Sequence, residues 1–220
     1  MSEKVETMNA AQPGLVLRNV SVLLHGTPLL TVSLSVAPGE IVTIAGASGA
    51  GKSTLLSYLC GSLGGGFVGA GDVLVNGVVV NGLPPWKRNI GILFQDDLLF
   101  PHLSVAGNLN FAIRPDVRAK AERHDRIAAA LEAAGLTGFE KRDPATLSGG
   151  QRARVSVMRV LLSEPQVLLM DEPFSKLDAE TRGQFRDFVF TQIRERQIPT
   201  LMVTHDSEDA DAAGGRIIRL

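Results

Sequence analysis

The chain has 220 residues and a 45% hydrophobic composition, enough to bury the core of one α/β domain or at most two small ones, which excludes a disordered or collagen-like protein. Lys and Arg total 22 against 23 Asp and Glu, a net charge of -1, so bulk attraction to nucleic acid or anionic lipid is excluded and either partner would need a local patch. The single cysteine, Cys60, rules out an internal disulfide framework and a cysteine-rich metal site and fits a reducing compartment, with the cytoplasm as the default.

Residues 1–14, MSEKVETMNAAQPG, are polar with mixed charges and lack the apolar segment of a signal peptide, so they read as a flexible tail. Nowhere do about eighteen apolar residues run together, the length needed to cross about 30 Å of hydrocarbon, so any spanning segment belongs to another chain. Two β-like runs, LVLRNV and LLTVSLSV, flank the turn His25-Gly26-Thr27-Pro28. Pro38-Gly39 turns the chain into Ile41–Ala45, a β-branched run of the kind buried in parallel sheets. A glycine-rich loop and a helix over about 52–60 follow. In DVLVNGVVV, Asn76-Gly77 between Val-rich runs predicts a tight antiparallel hairpin. Beyond it the pattern predicts a strand over 89–94, a helix over about 117–134 closed by Gly135, and a helix over about 149–162. A strand over 167–170, a helix over about 179–195 and a strand over 200–203 complete a mostly parallel sheet covered on both faces.

The segment Gly46-Ala47-Ser48-Gly49-Ala50-Gly51-Lys52-Ser53-Thr54 fits the phosphate-loop pattern G-x-x-x-x-G-K-[ST], with a predicted strand before it and a predicted helix after it. Its glycines let successive backbone N–H groups turn toward phosphate oxygens, and the positive end of the helix dipole adds to the attraction. Lys52 is placed for the β- and γ-phosphates and the Ser53 hydroxyl for Mg2+. The plain alternative is a glycine-rich turn that only joins strand to helix.

Downstream, the apolar strand Val167–Met170 ends in two carboxylates, Asp171 and Glu172. Ligands of open parallel sheets gather at the carboxyl ends of strands, which puts this pair beside the phosphate loop. Asp171 is the candidate holder of Mg2+, and Glu172, pointing elsewhere, is the candidate general base for water attacking the γ-phosphate. Taken alone, the pair also suits an acidic cap on a neighbouring helix. Leu147-Ser148-Gly149-Gly150-Gln151 offers an N-cap serine and two glycines that bare backbone N–H groups, a second anion site or, by itself, a plain loop.

The phosphate loop, the LSGGQ segment and the acidic strand end, in that order, resemble the nucleotide-binding subunit of ATP-binding cassette (ABC) transporters from about Leu15 onward. The resemblance implies an α/β fold: a P-loop NTPase cassette with a RecA-like parallel sheet core, an antiparallel β subdomain and a helical signature subdomain at roughly 96–164, all in one ATP-binding domain over 15–220. It implies ATP and Mg2+ as cofactors, with Ser53, Gln95 and Asp171 toward the metal and Glu172, Gln95 and His205 toward catalysis. LSGGQ matches the family signature, so Leu147, Ser148, Gly149, Gly150 and Gln151 are expected to touch the ATP held by the phosphate loop of a second copy. Gln95 matches the glutamine that contacts Mg2+ and the attacking water. His205, after the strand LMVT, matches the histidine that senses the γ-phosphate. Ser175-Lys176-Leu177-Asp178 resembles the loop at the dimer seam, with Asp178 at that seam and Lys176 where a small residue is common.

The family usually stacks adenine on an aromatic residue in the first hairpin; here the nearest positions are Leu23, Leu24 and His25, with His25 the candidate to stack and Leu24 to supply apolar contact. The stretch from Phe94 to Val105 with Asn108-Leu109 is similar to importer ATPases for inorganic ions, thiamine and polyamines. This implies an ATP-hydrolysing subunit on the cytoplasmic side of the cell membrane. Its partners would be a second copy, a transmembrane permease and, indirectly, a binding protein, with no nucleic acid. An exporter ATPase or a soluble ABC-type ATPase is the alternative. The chain stops at Leu220, so an extra C-terminal regulatory domain is not expected. Leu98, Leu99, Phe100 and Leu103, beside Pro101, predict an exposed apolar patch in the Gln95–Val105 segment for the membrane partner, against the alternative that they fold into the core. Cys60 reads as packing, Trp86 as a loop residue, and Arg152 and Arg154 as solvated or hinge contacts.

Overall fold

β1 (Leu15–Leu24) and β2 (Thr27–Val36) form a hairpin whose two turn residues, His25 and Gly26, have φ of 48° and 84°. Positive φ at both positions matches the right-handed twist of the flanking strands. The computed structural model describes residues 13–47 and 49–220; residues 1–12 of the expected tail, and Ser48, lie outside the described residues. β3 (Ile41–Ala45) leads through the glycine loop into α1 (Lys52–Cys60). β4 (Phe67–Val75) and β5 (Val78–Val79) turn at Asn76 and Gly77, as the sequence predicts. There follow β6 (Ile90–Leu93), α2 (Val105–Ala112), α3 (Lys120–Ala133), α4 (Gly149–Leu162) and β7 (Val167–Asp171). α5 (Ala179–Glu195), β8 (Thr200–Thr204), α6 (Ser207–Ala213) and β9 (Ile217–Arg219) complete the chain.

Four strands in the order β2-β1-β4-β5 make an antiparallel sheet, and five in the order β6-β7-β8-β3-β9 make a parallel one. Successive side chains of a strand point to opposite faces, and the parallel strands use both. Val42, Ile44, Val167, Leu169, Leu201 and Val203 pack with α1 and the antiparallel sheet. Leu168, Met170 and Met202 pack on the other side, with the helical cluster of α2, α3, α4 and α5. This is the mixed α/β architecture of the sequence reading: a parallel core, an antiparallel unit and a helical bundle. Burying each of these aliphatic side chains contributes about 1.5–3 kcal/mol, so the central strands are the most strongly held part of the molecule.

α2, α6 and β9 are additions to the predicted elements, and α3 begins three residues later than its periodicity implies. Val117 is buried but lies in a turn, its N–H donating to the Arg114 carbonyl. Gly135, at φ 68°, ends α3 as expected: its N–H bonds to the Glu132 carbonyl, and that of Leu136 to Leu131 at 2.7 Å. A buried arginine closes α1. Arg88 donates to the carbonyls of Tyr58 and Leu59 in the last turn of α1, each at 2.9 Å, and to those of Asn81 and Leu83. A cation at a helix C-terminus is favoured by the dipole, and the contact fixes α1, with the loop at its other end, against the second hairpin.

Candidate active site

The loop between β3 and α1 is shaped by its contacts. Gly51 has φ 81°, which strains any residue with a side chain, and a Cβ there would lie 3.0 Å from Leu30 Cδ2. The β1–β2 hairpin therefore packs directly on the loop. Lys52 is only 5% exposed, and its Nζ donates to the carbonyls of Gly46 (2.7 Å) and Ala47 (2.9 Å), which holds the ammonium within the loop. Ser53 Oγ donates to Asp171 Oδ1 at 2.9 Å, joining the loop to the end of β7.

Glu172 has φ 47°, rare for a residue other than glycine and characteristic of sites where the surroundings over-determine the backbone. Its N–H donates to the Val203 carbonyl at 3.0 Å, and its own carbonyl accepts from Ser175 Oγ at 2.9 Å. This turn separates the Glu172 carboxylate from that of Asp171 and brings its Oε1 to 2.9 Å from His205 Nδ1. Burial pushes the Asp171 carboxyl above the ordinary carboxylate range; the Ser53 hydrogen bond and Lys52 oppose this and the charge of Glu172 adds to it.

A cavity of about 660 Å³ brings together Gly49, Gly51, Lys52, Ser53 and Thr54 with Gln95, Asp171 and Glu172. His205 reaches it through Glu172. The chemistry fits a hard cation held jointly with phosphate: Ser53, Gln95 and Asp171 all offer oxygen, and Mg2+ is characteristically bound by one or two carboxylates plus substrate phosphates. Among the described residues no group of three His, Cys, Asp or Glu side chains forms a metal cage.

The LSGGQ segment does not line this cavity. Ser148 caps α4 in a capping box, its Oγ accepting from Gln151 N–H (3.3 Å) while Gln151 Oε1 accepts from Ser148 N–H (3.0 Å). Leu147 is buried, and at Gly150 a Cβ would fall 2.6 Å from Thr181 Cγ2, so the starts of α4 and α5 touch. Asp178 caps α5 by accepting from Thr181 N–H at 3.0 Å. Gly149 instead borders a second cavity of about 260 Å³ with Gln95, Asp96, Arg152 and Lys176. Ion pairs span it: Arg152 Nε lies 3.0 Å from Asp97 Oδ2, and Lys176 pairs with Asp96. Arg159 also donates to the carbonyls of Asp97 and Leu98. The segment after Gln95 is thus tied to α4 and to the Ser175–Asp178 loop within one chain. Arg152 also donates to the Leu147 carbonyl at 2.7 Å, and Arg154 binds the end of α3 through the Ala134 carbonyl at 3.0 Å.

The apolar patch differs from expectation. Of Leu98, Leu99, Phe100 and Leu103, only Leu98 is exposed, at 54%; the others are half-buried, Leu99 against the core and Phe100 edge-on to Phe111 at 4.8 Å. The reason is Asn108, a fully buried side chain that accepts from Phe100 N–H and donates toward the carbonyls of Phe100, Leu103 and Ser104, folding the segment onto α2. Exposed large apolar side chains include Leu98, Phe94 (45%), Phe111 (69%) and Trp86 (79%), and also Val68, Val78, Val79 and Leu220. Of the two residues considered for the base, Leu24 lines the large cavity. His25 sits in the hairpin turn, its N–H bonded to the Gly66 carbonyl. Phe67, which the sequence reading missed, lines the cavity beside Leu24; only the pairing of β4 with β1 brings it there.

The ABC transporter family pattern matches residues 29–175, more than half of the chain. The chain is 47% identical over 199 residues to the uncharacterized ABC transporter ATP-binding protein YnjD of Escherichia coli (strain K12), covering 90% of this chain and 91% of that one. It is 42% identical over 196 residues to the thiamine import ATP-binding protein ThiQ of Jannaschia sp. (strain CCS1), with coverage of 89% and 84%. Against the Fe(3+) ions import ATP-binding protein FbpC of Agrobacterium fabrum (strain C58 / ATCC 33970), identity is 41% over 196 residues, or 87% of this chain and 54% of that one. The chain belongs to the ABC transporter family, as an ATP-hydrolysing ATP-binding subunit of importer type.

Proposed function

We propose that this chain binds MgATP between its phosphate loop and the end of β7, hydrolyses it as one half of a symmetric dimer, and thereby drives a permease at the cytoplasmic face of a cell membrane. The observation that carries this reading is the convergence of Lys52, Ser53, Gln95, Asp171 and Glu172 on one cavity. Backbone N–H groups of Gly46–Thr54 and the Lys52 ammonium receive the phosphates; Ala47 and Ala50 act through their backbone, and Ser48 completes the motif. Ser53, Asp171 and Gln95 hold Mg2+, which when bound neutralises charge on the β- and γ-phosphates. Glu172 takes the proton of the attacking water, and His205, bonded to it, orients that carboxylate and contacts the γ-phosphate. The products are ADP and inorganic phosphate.

Two anion-binding helix starts in one chain suit a two-fold pair in which each α1 start faces a partner's α4 start. Leu147, Ser148, Gly149, Gly150 and Gln151 then close over the partner's ATP, with Asp178 at the seam. One cassette over 15–220 accommodates this, the helical elements at roughly 96–164 forming the subdomain that carries the signature. No helix among the described residues is long and apolar enough to cross a membrane. The permease contact accordingly falls on the exposed apolar surface, where Trp86 and Phe111 line a groove of about 470 Å³. Relatives named for thiamine and for Fe(3+) ions are about equally similar to this chain, which supports assigning cargo choice to the permease and binding protein.

Phosphate release and equilibrium binding test the reading. Lys52→Ala is expected to weaken MgATP binding and abolish turnover. Trp86→Asp with Phe111→Asp is expected to preserve basal ATPase activity and lose permease binding. Wild-type turnover by Lys52→Ala refutes the nucleotide site; retained permease binding by the double variant moves the membrane contact elsewhere. Light scattering of Glu172→Gln with saturating MgATP is expected to give a dimer, and a monomer even with permease present refutes the pairing.

A further inference from the structure

The large cavity has two chemically different walls. One is polar and comes from strand ends of the parallel sheet: Gln95, Asp171 and Glu172. The other is apolar and comes from the antiparallel sheet: Leu24, Leu29 and Phe67. The phosphate loop touches both, through the Ser53–Asp171 hydrogen bond on one side and the packing of Leu29 and Leu30 against Gly51 on the other. A nucleotide whose phosphates occupy the loop and whose γ-phosphate faces Asp171 and Glu172 has its base left for the apolar wall.

Register identifies the residue that meets it. Phe67 stands directly opposite Leu24 in the β1–β4 pairing, so the two share a face. Gly69 and Gly71 follow on that same face of β4. The Tyr58 ring fills the space over Gly69, where a Cβ would come within 2.2 Å of Tyr58 Cδ2, and its O–H donates to the Gly71 carbonyl at 2.9 Å. Thr54 lies one turn before Tyr58 on the same side of α1 and lines the cavity with Phe67. The side chain of Phe67 is half-buried, packed against the core of the antiparallel sheet and lining the cavity beside the phosphate loop. The other aromatic lining residue, Phe94, follows β6 at the polar end, next to Gln95.

We propose that Phe67 is the platform on which the nucleotide base stacks, with Leu24 and Leu29 completing an apolar slot. This rests on the cavity being the nucleotide site. Stacking is sequence-tolerant because every base has a π-face, and none of these three side chains carries a hydrogen-bonding group to read a base edge. The slot therefore rewards a base over no base far more than adenine over guanine.

The experiment compares ATP with inorganic tripolyphosphate, which carries the phosphates without the base, by calorimetric titration in Mg2+. Phe67→Leu keeps the apolar bulk and removes the π-face; Phe67→Ala removes both. Both are expected to raise the Kd for ATP and GTP, Phe67→Ala by about 5- to 150-fold, the alanine-substitution range for base stacking, with the Kd for tripolyphosphate unchanged. Phe67→Trp in a Trp86→Phe background is expected to keep ATP affinity, with indole fluorescence quenched by ATP and not by tripolyphosphate. An ATP Kd unmoved by both truncations overturns the proposal. So does equal weakening of ATP and tripolyphosphate, or a loss of ATP affinity in Phe94→Leu and not in Phe67→Leu. A wild-type protein that binds neither ligand overturns the nucleotide site itself, an outcome distinct from the others.

Discussion

His205 Nδ1 and Glu172 Oε1 lie 2.9 Å apart, one residue beyond the ends of the adjacent parallel strands β8 and β7. The contact joins two side chains that act on the same water and phosphate in the proposed reaction. Groups that work as a unit lose function together. Glu172→Gln is expected to bind MgATP and to lower turnover by about 10²- to 10⁴-fold, the usual cost of losing a general base. His205→Ala added to it is expected to lower the rate little further, whereas fully multiplicative losses in steady-state phosphate release would mean that the residues act independently.

Asp171 is expected to make the site pH-dependent. Its carboxyl is held above the ordinary carboxylate range, chiefly by burial, so the folded protein retains that proton to higher pH than the unfolded chain. By linkage, its contribution to stability is fully present below the ordinary carboxylate range and is lost as pH rises through the raised value. Mg2+ requires the ionised form, so metal-dependent ATP binding is expected to strengthen as pH rises through that same window. Asp171→Asn should flatten the first trend and abolish the second. Urea denaturation and ATP titration with and without Mg2+, each across acid to neutral pH, read both.

Asn108 carries the loop from Phe100 to Ser104 on one side chain. Asn108→Ala leaves the Phe100 N–H and the Phe100 and Leu103 carbonyls without that partner, at a cost of about 2–4 kcal/mol. The nucleotide cavity is built by other elements, so ATP affinity is expected to hold while permease-stimulated ATPase activity falls. Denaturation midpoints and reconstituted transport test the separation; an unchanged midpoint would remove Asn108 from this role.

Cys60, at the end of α1, has its thiol pushed up to about 11 by burial, with the Arg88 charge opposing. At pH 8 the native protein is expected to react with a disulfide reagent far more slowly than the urea-unfolded chain, because the thiolate is the reactive form. Immediate stoichiometric labelling of the folded protein would show the α1 end to be open.

Much of this was legible in the residues. The phosphate loop, the capped start of α4 and the acidic end of β7 are local patterns, and each forms as its sequence dictates. Three things were not. α2 contains Gly107, Asn108 and Asn110, poor helix formers, and is held instead by the buried Val105 and Leu109 and by the Ser104 cap. The burial of Leu99 and Phe100 depends on Asn108, a polar residue whose saturation by hydrogen bonds cannot be seen in a hydrophobic pattern. Phe67 reaches the cavity through strand register, with Leu24 opposite it on a strand far away in sequence. Local chemistry survives translation into a string of letters, but juxtaposition across a sheet does not.

The order of the parallel sheet also governs when the molecule can come into being. Among the described residues β3, which delivers the phosphate loop, has β8 and β9 as its sheet neighbours, Ile41 opposite Thr200 and Thr43 opposite Ile217. During synthesis the greasy run Ile41–Ala45 emerges early and waits, unpaired, for nearly the whole remaining chain, a non-local closure of the kind that slows folding and invites chaperone capture. A nascent chain that stalls before β8 has the entire phosphate motif in its sequence and no sheet to seat it.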